Sequence, residues 1–105
     1  MTRITGEIKV ERLSSKLAIG LGERFIFFCP GCEGIHPIDV LQPNHYNGSI
    51  WKWNGNAELP TFWPSIEVGS TCHSFINSGI IQFLPTCYHD LRGKAVPLPD
   101  LPDWV

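Results

Sequence analysis

The chain has 105 residues, a formal net charge of -2, 43% hydrophobic residues and 17% charged ones. That length fits one domain, the composition is too apolar for a disordered chain, and the near-neutral charge excludes a general nucleic-acid binder, which needs many cations to displace counterions. No apolar run approaches the ~18–20 residues that span a bilayer, and Met1–Glu7 lacks the apolar core of a secretory signal, so the expectation is a cytoplasmic protein with no membrane and no nucleic acid among its partners.

Ten glycines and nine prolines interrupt the chain every few residues. Both weaken helix interiors, so the pattern predicts short strands joined by turns. Residues 6–13 alternate, with Ile8 and Val10 on one face and Lys9 and Glu11 on the other, the period of a half-buried strand. Residues 14–22 end in Gly20-Leu21-Gly22 and read as a loop. The aromatic run of residues 23–29 reads as a central strand covered on both faces. A second strand over 35–41 is interrupted by Pro37, and residues 42–49 read as a loop.

Ile50-Trp51-Lys52-Trp53 is a short strand closed by Asn54-Gly55, and Pro60 and Pro64 bracket an extended Thr61-Phe62-Trp63. Residues 71–84 form a hairpin that turns at Asn77-Ser78-Gly79. Cys87 to Arg92 fits one helical turn ended by Gly93. Ala95–Leu98 is a last edge strand, followed by an extended tail. The aromatic set Trp51, Trp53, Phe62 and Trp63 is read first as core packing, with an exposed binding platform as the alternative.

Cytosolic proteins rarely maintain disulfides, so the four cysteines need another explanation. Cys29-Pro30-Gly31-Cys32 forms a tight knuckle that aims two thiolates at one ion. Zinc takes four such ligands tetrahedrally, thiolate and imidazole favoured. Cys72 begins the hairpin and Cys87 lies just beyond it, so a Cys29, Cys32, Cys72, Cys87 site follows. His89 or His36 are the residues that would replace a cysteine in it. A thioredoxin-like redox pair fits poorly, because Pro37 ends any helix that follows the motif. The resulting picture is a single zinc-stabilised domain over residues 1–105, mainly β, zinc-ribbon-like, with hairpins and at most a short helical turn. Its zinc would be structural, with no open position for chemistry.

If thiolates take the metal, imidazoles remain for nucleophilic catalysis beside a hydroxyl. The candidates are His73 with Ser74 or Ser65, and Thr61. His73 and Ser74 are neighbours on a strand and point to opposite faces. His73 meets Ser65 or Thr61 only if segment 61–67 pairs beside the hairpin. Asp39 and Asp90 are the candidates for an orienting carboxylate, and backbone N–H groups near Gly69 or Gly79 for an oxyanion hole. The bland reading is that such Ser and Thr groups make turn hydrogen bonds and that the histidines support metal ligands.

Taken in order, Phe28-Cys29-Pro30-Gly31-Cys32, His36, Trp51-Lys52-Trp53-Asn54-Gly55, Pro60-Thr61-Phe62-Trp63-Pro64-Ser65-Ile66, Cys72-His73-Ser74-Phe75-Ile76, Phe83-Leu84 and Cys87-x-His89 resemble a small domain family of phages, prophages and bacteria. Its members often carry an ammonia monooxygenase label, which a chain with no membrane span does not support. The family is similar to the BubE component of bacterial ubiquitin-like operons. The resemblance covers residues 25–98 and singles out Cys29, Cys32, His36, Thr61, Ser65, Cys72, His73, Ser74, Cys87 and His89. It implies a bacterial host cell and a peptidase that hydrolyses ubiquitin-like proteins or their conjugates. The competing expectations are a non-catalytic phage zinc module that binds a host protein, and a catalytic metal with an open position.

Overall fold

The computed structural model describes residues 10–20, 22–69 and 72–105. Among them there is no helix, and ten strands form three antiparallel sheets. The first sheet has the order β1 (Val10–Arg12), β2 (Ala18–Gly20), β3 (Arg24–Cys29), β4 (Gly34–Ile38). The second is built from β7 (Ile66–Val68), β8 (Cys72–Asn77), β9 (Ile80–Phe83) and β10 (Ala95–Pro97), in the order β10-β9-β8-β7. A two-stranded ribbon pairs β5 (Lys52–Trp53) with β6 (Phe62–Trp63).

The aromatic strand β3 lies between β2 and β4, as its continuous apolar sequence predicts, with Phe25, Ile26, Phe27 and Cys29 all buried. Phe25, Phe27 and Cys29 share a face by the two-residue period. They join Ile76, Ile81 and Phe83 of the second sheet in one core cluster. Ile26 and its cross-strand partner Ala18 are buried on the other face of the first sheet. Pro37 is accommodated because β4 is an edge strand.

The expected loop over residues 14–22 is corrected here, since it contains β2. Leu17 and Ala18 are fully buried, but three residues ending at a glycine leave no visible alternation. The strand expected over residues 6–13 is described only from Val10 onward, and its residues 6–9 lie outside the described residues. The expected helical turn at Cys87–Arg92 is instead a tight turn in which the Arg92 N–H donates to the His89 carbonyl at 3.2 Å. The tail docks back on the first sheet's connections: the Leu101 N–H donates to Ser15 O at 2.7 Å, and Leu98 and Leu101 are buried.

The hairpin β8–β9 sets the register on which the rest depends. Asn77 pairs with Ile80 across a two-residue turn. Both turn residues, Ser78 and Gly79, have positive φ, the geometry whose twist matches a β-hairpin. From that turn, Cys72, Ser74 and Ile76 face the core while His73, Phe75 and Asn77 face outward. Two kinds of chemistry are thereby placed on opposite faces of one strand.

Candidate functional site

The knuckle after β3 reverses the chain so that the Glu33 N–H donates to Cys29 O at 2.8 Å. Cys29 and Cys32 then meet Cys72 at the start of β8 and His89 in the turn after β9. Cys29 Sγ is 4.0 Å from Cys72 Sγ, and Cys72 Sγ is 3.6 Å from His89 Nε2. The four ligand atoms all lie within 4.8 Å of one another. A tetrahedral zinc with ordinary Zn–S and Zn–N bonds sets ligand atoms about 3.6–3.8 Å apart. The donor set and its spacing therefore fit zinc. Burial pushes the Cys29 and Cys72 thiols up, and for Cys72 the neighbouring Cys29 sulfur adds to the effect. A cation among them reverses that preference by favouring thiolate.

Gly31 has a role that spacing does not reveal. A Cβ built there would meet the His89 ring, 2.6 Å from Nδ1 and closer still to Cε1 and Nε2. The knuckle backbone lies against the imidazole, so only glycine fits. Phe83 packs edge-on against the same ring at 4.5 Å between centroids, and the Leu91 backbone nitrogen lies 3.2 Å from Nδ1. These contacts leave Nε2 as the atom presented to the sulfurs.

Cys87, expected among the ligands, is placed elsewhere. Its Sγ accepts the His73 N–H at 3.2 Å and donates to His73 O at 3.1 Å. His73 turns these backbone groups toward the side where β9 has already ended, and the Leu84 N–H also donates to His73 O at 3.0 Å. His36 stays out of the cluster too. Burial holds its pKa below the usual imidazole range, His89 adding to that against a backbone hydrogen bond at Ile35. Its Nε2 is buried with no hydrogen-bond partner among the described residues.

On the outer face, β7 pairs with β8 in the register Ile66↔Ser74, Glu67↔His73. Segment 61–67 thus does run beside the hairpin. Ser65, one residue before β7, brings its Oγ to 2.8 Å from His73 Nε2. The hydroxyl donates when Nε2 carries no proton. The Trp51 indole N–H donates to Ser65 O at 3.2 Å and fixes the main chain there. Ser74 is only 2% exposed and faces the core, away from His73. Thr61 is engaged at the hairpin turn, where its Oγ1 accepts the Ser78 N–H at 2.8 Å and donates to Asn77 Oδ1 at 3.3 Å.

The Gly79 N–H donates to Pro60 O at 2.9 Å, which removes it from the oxyanion-hole candidates. Asp39 is likewise occupied: Arg24 donates to both its oxygens at 2.7 and 2.9 Å, and Asn44 Nδ2 donates at 2.9 Å. Burial works against its carboxylate, but these hydrogen bonds outweigh it and hold its pKa below the usual range. Of the aromatic set, Phe62 is buried, Trp51 and Trp53 pack partly buried against the core, and Trp63 is exposed. Among the described residues no helix is long and apolar enough to cross a membrane.

No curated protein and no solved structure matches the chain. A family model described as bacterial ubiquitination-like system serine protease (BubE) matches residues 5–84. The match takes in the first strand, which the motif resemblance left out, and it includes Ser65 and His73 but ends before Cys87 and His89. With most of its length matched, the chain belongs to the BubE family.

Proposed function

We propose that the protein is a serine peptidase of a bacterial ubiquitin-like system, with Ser65 as nucleophile and His73 as its base, in one domain over residues 1–105 stabilised by a structural zinc. The observation that carries this reading is the 2.8 Å contact between Ser65 Oγ and His73 Nε2, part-buried on the outer face of the second sheet. A positioned imidazole within hydrogen-bond reach is what activates a serine hydroxyl.

In the reaction, His73 Nε2 takes the Ser65 proton as Oγ bonds to the scissile carbonyl carbon. The carbonyl π electrons move onto oxygen. Collapse of that intermediate breaks the C–N bond, and His73 returns the proton to the departing amine. Water then repeats the sequence on the acyl-enzyme and releases the acid. Cys29, Cys32, Cys72 and His89 would hold the zinc. Four protein ligands leave it no open position, so it would support the fold. Its place in the mechanism is indirect: Cys72 is the residue before His73, and fixing one fixes the strand that carries the other. The substrate implied by the family's description is a ubiquitin-like protein or its conjugate.

A ubiquitin-like protein with a short C-terminal peptide extension tests the reading. Wild type trims it, and Ser65→Ala, folded by circular dichroism, loses at least ~10³-fold in rate. Equal trimming by the two proteins would remove Ser65 from the mechanism.

A further inference from the structure

An open groove of about 620 Å³ lies on the outer face of the second sheet, with the wall residue Phe75 next to His73 on that face. Its walls come from the same two chain segments as the Ser65–His73 pair. Phe75 is two residues beyond His73 on β8 and on the same face. Trp63 is two residues before Ser65. The His73 and Phe75 rings are roughly parallel, with centroids 6.3 Å apart. Ile80 of β9 forms the far side, with Asn77 and Gln82 as polar rim.

Trp63, Phe75 and Ile80 are 51%, 45% and 40% exposed. Large apolar side chains gathered in water around one groove mark a binding surface. Its volume is that of a small-ligand or side-chain pocket. Among the described residues no Lys, Arg, Asp or Glu lines it. A basic or acidic side chain entering it would lose hydration and find no opposite charge, whereas an apolar one would cover the exposed rings.

We infer that this groove is the specificity subsite of the enzyme and takes a bulky apolar side chain of the peptide substrate. The inference rests on the Ser65–His73 reading above. The ring separation of 6.3 Å corresponds to about two residues of extended peptide at ~3.3 Å each. The groove therefore begins about two residues from the scissile bond and, with Ile80 paired to Asn77 four residues along β8 from His73, extends to about four. Trp63, Phe75 and Ile80 are specificity residues and take no part in proton transfer.

The test is cleavage-site mapping by mass spectrometry on a mixed peptide library, using wild type and Ile80→Asp. Active-site labelling by a fluorophosphonate is measured on the same samples. The expected result is enrichment of Phe, Tyr, Trp, Leu, Ile or Met two to four residues from the cut bond in wild type. Ile80→Asp raises KM for such peptides about tenfold, with kcat and the labelling rate within twofold. Trp63→Ala gives the same pattern. Wild type that labels but cuts without preference, or cuts nothing, overturns the subsite and leaves the nucleophile standing. An unchanged KM in both variants also overturns it. A wild-type protein that is folded and fails to label ends both readings together.

Discussion

Cys87 and His89 are two residues apart, and the structure sets them in different surroundings, His89 among the Cys29, Cys32 and Cys72 sulfurs and Cys87 on the His73 backbone, which a pair of substitutions tells apart. His89→Ala removes one of four converging ligands. A quarter of the ~10–16 kcal/mol of apparent free energy of a structural zinc is about 3 kcal/mol, or more than a hundredfold in zinc affinity. Cys87→Ser keeps a group that both accepts from His73 N and donates to His73 O, the two contacts at 3.2 and 3.1 Å. It should retain zinc and lose ~1 kcal/mol of stability. Cys87→Ala strands the His73 N–H without its acceptor, at a cost of about 1–3 kcal/mol, while the Leu84 N–H still holds the carbonyl. The assay is zinc per chain by plasma emission after gel filtration through a weak chelator, with urea unfolding on the same samples. The expected order is wild type and Cys87→Ser near one zinc, and His89→Ala well below half. Zinc lost from Cys87→Ser and kept by His89→Ala would refute the assignment of His89 as fourth ligand.

Further outcomes follow from the same geometry. Gly31→Ala drives a methyl group into the His89 ring, so zinc content and thermal midpoint should both fall; a variant with wild-type zinc content would mean that the knuckle and ring do not touch. Glu33 holds a positive φ of 58°, and Glu33→Gly should raise stability by ~1 kcal/mol, read by urea unfolding, because glycine adopts that conformation without strain. Asp39 has a depressed pKa in the folded state, so its contribution to stability is full above the unfolded value near 3.8 and is lost as pH falls through the folded one. Asp39→Asn should flatten the acid limb of the stability curve. It should also cost ~2 kcal/mol at neutral pH, less than a fully buried pair because the Arg24 side chain remains 32% exposed. An acid limb as steep as that of wild type would show that other carboxylates set it.

The sequence was most legible where local chemistry decides structure. Arg24–Cys29 could only be a covered strand, and Ser78-Gly79 could only be a turn that sends β9 back along β8. Strand β2 was hidden because three residues are too few to show a period, and its burial comes from the partners on either side. The choice between Cys87 and His89 was hidden for a different reason. It depends on β9 ending at Phe83, which leaves the His73 N–H in need of an acceptor that the Cys87 thiol supplies. Spacing carries no record of that vacancy. Gly31 was read as a turn former, but its necessity lies in a ring brought from 58 residues away. Ser65 and Ser74 both stood as nucleophile candidates, although strand alternation already set Ser74 on the opposite face from His73. The register Ile66↔Ser74 separates them, turning one outward to His73 and the other into the core.

The nucleophile can be identified directly by locating a fluorophosphonate adduct. Metal-replete protein is treated with the probe, digested and read by tandem mass spectrometry. The expected adduct sits on Ser65, disappears in His73→Gln and persists when Ser74 is replaced by Ala. An adduct on Ser74, or a folded wild-type protein that takes up no probe, would contradict the Ser65–His73 site.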